Sequence, residues 1–197
     1  MFSLEQAKKL ITLARDSINA GFLHRKPRIS KAIATEFSEP RGVFITLTIN
    51  GQLRGCIGFP EPVQSLYKAV VDAAQSAASH DPRFPSLTKE EFKHVAIEVS
   101  ILTLPKVVEV RNPSDYYKNI QIGRDGLIVR GTFSSGLLLP QVAIEQNWDS
   151  KTFLEQTCVK AGLQPNEYLD YDNCRVYKFQ SQVFSEKSAE GEIIQKM

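Results

Sequence analysis

The chain has 197 residues, enough for one domain or two closely packed subdomains with a sizeable core. Apolar and charged fractions of 42% and 23% are those of an ordinary soluble globule, and a formal net charge of +2 is too small to argue for a nucleic-acid or membrane surface. No apolar run approaches membrane-spanning length. The first residues carry Glu5, Lys8 and Lys9 instead of a secretory apolar core, and the three cysteines are far apart. Reduced thiols and a cytoplasmic location are therefore expected.

In chain order, Ser3 to Asn19 has the pattern of an amphipathic helix. Ser3 and Gln6 have capping-box spacing, Leu4, Ala7, Leu10, Ile11, Ala14 and Ile18 form one stripe, and Gly21 can close the end. His24-Arg25-Lys26-Pro27-Arg28 is a short basic loop, read as a solvated connector in preference to an anion site because the net charge is modest. Gly42 to Ile49 alternates as a strand with Val43, Ile45, Leu47 and Ile49 on one face. Asn50-Gly51 then marks a two-residue type I′ turn, and Leu53 to Ile57 is the return strand. Pro60 and Pro62 precede a helix over about Val63 to Ala78, whose alanine stripe permits close approach to a sheet. A loop comes next, fixed by Pro82 and Pro85. Thr88 and Glu91 repeat the capping-box spacing ahead of a short helix, and Val95 to Leu104 is a long strand with Glu98 and Ser100 away from its apolar face.

Asn112 to Asp115 is a turn leading into a short helix near Asn119. Gly123 to Gly126 is read as the turn of a second hairpin, and Gly131 to Gly136 as a loop. Helices are expected over Gln141 to Asn147 and Ser150 to Ala161, and a single strand over Cys174 to Phe184. The tail from about 186 to 197 is polar and expected to fray. The whole pattern is α+β, with antiparallel or mixed sheets and packed helices.

The densest cluster of special residues is Leu53-Arg54-Gly55-Cys56-Ile57-Gly58. Together with Gly42 to Leu47, Asp81-Pro82-Arg83-Phe84, Glu98 to Leu102, Gly136 to Val142 and Thr157 to Gly162, it resembles the AMME-syndrome candidate-gene proteins, the AMMECR-type domain. These blocks run in the family's order from about Gly42 to Phe184. The resemblance implies one α+β domain of two subdomains across residues 1–197, with the cysteine motif near a cleft between them. It implies no reaction, since none is settled for the family.

Cys56 is the candidate nucleophile. Thiolates require a neighbouring cation, histidine or helix N-terminus, and Arg54, two residues away in a strand, shares its face by simple alternation. His80 is the candidate base if its loop folds back to the motif. Arg54, Gly55 and Gly58 can alternatively cradle an anion, with both glycines expected at positive φ. Asp81, Arg83, Glu98, Gln141 and Glu145 complete the expected ligand site. Each has a plain structural alternative: cysteine packs well between glycines, Asp81 before proline makes a turn, and Arg83 pairs with it. His24, His80 and His94 show no metal-ligand spacing, and no Cys-x-x-Cys occurs. The sequence names no cofactor. The expected partner is a small anionic ligand or modified side chain acted on by an enzyme, or else a protein bound by a non-catalytic adaptor; neither nucleic acid nor membrane is expected.

Overall fold

The computed structural model describes residues 1–196. Helix α1 spans Leu4–Phe22 and α2 Lys31–Glu36; the hairpin strands are β1, Val43–Ile49, and β2, Gln52–Phe59. Helices α3, Leu66–Ser79, and α4, Lys89–Phe92, precede β3, Val95–Leu102. Next come β4, Lys106–Val107, β5, Gly126–Arg130, β6, Ser135–Leu138, α5, Pro140–Glu145, α6, Ser150–Lys160, and β7, Arg175–Phe179. Strands β8, Ser181–Glu186, and β9, Ile193–Gln195, close the chain. The fold is α+β. Its two compact units are Met1–Leu102 with the chain from Gln182 onward, and Thr103–Ser181. None of the helices described is long and apolar enough to cross a membrane.

The first unit is built on a five-stranded sheet in the order β2-β1-β3-β8-β9, so β2 is an edge strand. Ser3 caps α1 in a full capping box with Gln6, and Ala7, Leu10, Ile11, Ala14 and Ile18 lie buried along one stripe. Those residues pack with Val43, Ile45 and Leu47 of β1 and Ile97, Val99 and Ile101 of β3 in one core. Each large apolar side chain buried there contributes about 1.5–3 kcal/mol. The buried stripe of α3 is Ala69, Ala73, Ala74 and Ala77, and these small residues bring its backbone close to β2.

The second unit has a four-stranded sheet, β4-β7-β5-β6, over a core of Tyr116, Leu127, Val129, Phe153, Leu154 and Val176. Three sequence expectations are corrected here. The second hairpin is β5 with β6, turning at 131–134, because Gly123 to Asp125 is a turn ahead of β5. The single strand expected over Cys174 to Phe184 is two strands in different sheets. It breaks at Gln180, whose backbone N–H donates to Thr103 Oγ1. The tail is ordered in part: Glu186 is buried, with its carboxylate accepting from Arg15 and from the Ile97 N–H, and β9 pairs with β8. Its last residue, Met197, lies outside the described residues.

Candidate functional site

The register of the first hairpin determines where the thiol lies. Asn50 and Gly51 both take left-handed backbone, at φ 50° and 76°, as a type I′ turn requires. Ile49 accordingly faces Gln52, and Thr48 faces Leu53. Continued unchanged, that register would set Cys56 opposite Ile45, on the core face of the sheet. A bulge intervenes and leaves Arg54 without a partner on β1, so that Leu47 faces Gly55 and Thr46 faces Cys56. Gly55 thus takes the core face and Cys56 the opposite one. The alternation that would tie Arg54 to Cys56 does not carry across the bulge.

Gly55 is buried against α3. A Cβ there would strike the carbonyl oxygen of Ala77, and one at Gly58 would strike the Val43 carbonyl and the Phe44 ring. Neither glycine has positive φ, so the expected left-handed backbone is corrected. What demands glycine at both positions is close approach of another chain segment.

β2 is an edge strand, and both main-chain polar groups of Cys56 are bonded by side chains and not by β1, as in a non-hydrogen-bonded pair. The loop after α3 occupies that edge. Asp81 Oδ2 accepts from the Cys56 N–H at 2.8 Å, and the Arg83 guanidinium donates to the Cys56 carbonyl at 3.2 Å. Asp81 also accepts the Arg83 N–H and a bidentate pair of guanidinium bonds at 2.9 and 2.7 Å. The Arg83 guanidinium chiefly, opposed by burial and helped by the N–H groups of Cys56 and Arg83, holds the Asp81 carboxyl well below the usual carboxylate range. Loop and motif therefore meet, through Asp81 and Arg83.

On the open face, Cys56, Thr46 and Glu98 form a row across β2, β1 and β3. Thr46 Oγ1 lies 3.3 Å from Cys56 Sγ, and Glu98 accepts from Lys196 Nζ at 2.8 Å. Two interstrand spacings put the Glu98 backbone about 10 Å from that of Cys56. Arg83 is about half exposed, and its bond to Asp81 chiefly raises its pKa. Arg54 is committed elsewhere: Nε and Nη2 bond Glu91 at 3.0 and 3.2 Å, and its guanidinium stands 5.8 Å from the Phe84 ring. Arg54 first, then Thr88, lowers the Glu91 pKa to about 2.

His80 caps the C-terminus of α3, exposed, with Nδ1 2.8 Å from Ser79 Oγ. It lines a cavity with Ser86 and Leu87, and its hydrogen bond is to Ser79, not to the motif. Gln141 and Glu145 belong to α5 in the second unit, where Glu145 is exposed and Gln141 Oε1 is buried with no hydrogen-bond partner among the described residues. Cys158 and Cys174 are free thiols in the second core, and burial pushes them up to about 12 and about 11. Sequence reasoning missed Thr46 and Glu91. The turn at Asn50-Gly51 could have found Thr46 only with the bulge known, since the unshifted register pairs it with Gly55.

Residues 11–184 match the AMMECR1 family profile. Protein MK0488 of Methanopyrus kandleri is 47% identical over 195 residues, covering 97% of this chain and 93% of its own. Protein PF1979 of Pyrococcus furiosus is 44% identical over 199 residues, with 98% and 93% covered. The crystal structure of the uncharacterized protein PH0010 from Pyrococcus horikoshii superposes with a TM-score of 0.88 at 41% identity, covering 98% of this chain and 97% of that one. Order and spacing of the blocks, the fold and these likenesses agree: the chain belongs to the AMMECR1 family.

Proposed function

We propose that the protein is an enzyme that uses the Cys56 thiolate as nucleophile on a small anionic ligand or a modified side chain. One observation carries this reading. Of three free thiols, Cys56 alone is half-buried, with the Thr46 hydroxyl 3.3 Å from its sulfur and the Arg83 guanidinium on its own carbonyl at 3.2 Å. Reactive thiols occupy partly exposed, electropositive surroundings, whereas buried ones are inert. Thr46 donates to the sulfur, Arg83 supplies the cation for an anionic substrate group, and Asp81 fixes Arg83 in place. Sγ would form the new bond, and the leaving group would depart with its electron pair.

A second reading has its own support. Asp81 and Arg83 bond each other and close the β2 edge at Cys56, and Arg54 is held by Glu91, which suits a non-catalytic adaptor whose motif is a structural staple. Brief treatment with low-dose iodoacetamide, mapped by mass spectrometry, separates the two. The enzyme reading expects Cys56 to be alkylated before Cys158 or Cys174 is detectable, and Arg83→Gln to slow that reaction about tenfold. Sluggish labelling of all three cysteines would favour the adaptor.

A further inference from the structure

The cavity that His80 lines lies within the first unit, and Cys56 is not among its lining residues. It is an open cavity of about 730 Å³ at the C-terminal ends of α1 and α3. Its floor is apolar: Ile18, Ala78 and Leu87 are nearly fully buried and Phe22 partly so. Its rim is basic, with His24, Arg25, Lys26 and His80, and no aspartate or glutamate lines it. Arg25 and Lys26 also border an adjoining cavity of about 450 Å³, where Arg28 and Lys89 add positive charge and Asp16 one negative charge. Most basic side chains elsewhere in this unit, such as Lys9, Arg15, Arg54 and Lys93, are paired with carboxylates. Arg25 and Lys26 have no such partner among the described residues.

The basic loop is held in position by its backbone. The His24 N–H donates to the Gly21 carbonyl and the Arg25 N–H to that of Ala20, both at 3.0 Å, which is a Schellman ending. The left-handed position of that motif normally takes glycine. Here it is His24, at φ 48°, a conformation that histidine adopts more readily than most non-glycine residues. Pro27, its φ fixed by the ring, stiffens the loop beyond Lys26. Across the cavity, Ser79 Oγ donates to the Gln75 carbonyl at 2.7 Å, so its hydrogen is committed. The 2.8 Å bond between Ser79 Oγ and His80 Nδ1 therefore runs from an Nδ1–H, which leaves Nε2 an acceptor in the neutral ring and a donor to an anion only in the protonated one.

We propose that this cavity binds a small organic anion, a phosphate monoester or carboxylate carrying a flat apolar group. The anionic group sits at Arg25 and Lys26, with His24 and His80 on the same rim, and the apolar body lies on Ile18, Phe22, Ala78 and Leu87. Its volume matches small-ligand sites, which combine an apolar lining with a few convergent polar groups. This reading revises the basic loop from connector to binding element, and it is independent of the chemistry at Cys56.

Phenyl phosphate serves as the probe, followed by amide shifts in ¹⁵N spectra of the full chain. Saturable one-to-one binding is expected, with shifts concentrated in 18–26 and 75–87. Inorganic phosphate and phenol should each bind about tenfold or more weakly, since each satisfies half of the site. The double variant Arg25→Gln, Lys26→Gln should lose about tenfold or more in affinity at an unchanged melting temperature, because both side chains are exposed and unpaired. Absence of saturable shifts at millimolar phenyl phosphate overturns the proposal, as does full affinity in the double variant. So does phenol binding as tightly as phenyl phosphate. Displacement of the probe by a thymidine oligonucleotide bound many-fold more tightly also overturns it, in favour of a nucleic-acid surface. Alkylation of Cys56 is expected to proceed at the same rate with and without the probe, which keeps the two sites separable.

Discussion

Four donors converge on the two oxygens of Asp81: the N–H groups of Cys56 and Arg83, and Nε and Nη2 of Arg83. The residue is 4% exposed, so a carboxylate there is stable only with that full set. Asp81→Asn keeps the shape but turns an amide toward donors, and it should cost about 2–4 kcal/mol by urea denaturation. A loss within experimental error of zero would remove Asp81 as the fastener of the edge. The pH dependence comes from the sign of the shift. The folded carboxyl titrates below its ordinary value of 3.8, so its contribution is present above that value and disappears as pH falls through the folded one. Glu91, lowered from 4.5 to about 2 by Arg54, acts in the same direction. Stability should therefore decline steeply below about pH 4 in the native chain and less steeply in Asp81→Asn.

Among elements, the bulged β2 strand is the most informative. Asn50-Gly51 is legible as a turn, and β1 reads correctly by alternation, because both signals are local. The extra residue at Arg54 is not legible: a one-residue insertion leaves composition unchanged while moving every later side chain to the other face. Gly55 is readable as a special position, but its reason lies in α3, whose Ala77 carbonyl fills the space of a Cβ. Gly55→Ala should lower stability by more than about 2 kcal/mol, by the overpacking of backbone against backbone. Gly51→Ala, with nothing nearby, should suffer only the cost of its φ, about 1 kcal/mol. Paired urea midpoints check this. An equal loss in both variants would show that conformation and not contact governs Gly55.

At the scale of the molecule, each unit has its own sheet and its own core. Leu154→Ala opens a hole in the second core and should cost about 2–5 kcal/mol there. Amide hydrogen exchange should then quicken across β5 and β7, while β1 and β3 keep their protection. Equal acceleration in all four strands would mean that the chain opens as one cooperative body.

What the sequence determined by itself is what short-range physics encodes. Capping boxes at Ser3 and Thr88, the Asn50-Gly51 turn, the alanine stripe of α3 and the parity that sends Glu98 away from the core all stand in the structure as read. Each depends on residues within a few positions of one another. Tertiary structure alone decided the rest. It bulged β2 so that Cys56 meets Thr46, laid Asp81 and Arg83 along the open edge, gave Arg54 to Glu91, and broke one expected strand between two sheets at Gln180. It also set the basic loop beside His80 around a shared cavity. These pairings join residues tens of positions apart, and a sequence holds no local signal for a partner chosen by the packing of a core.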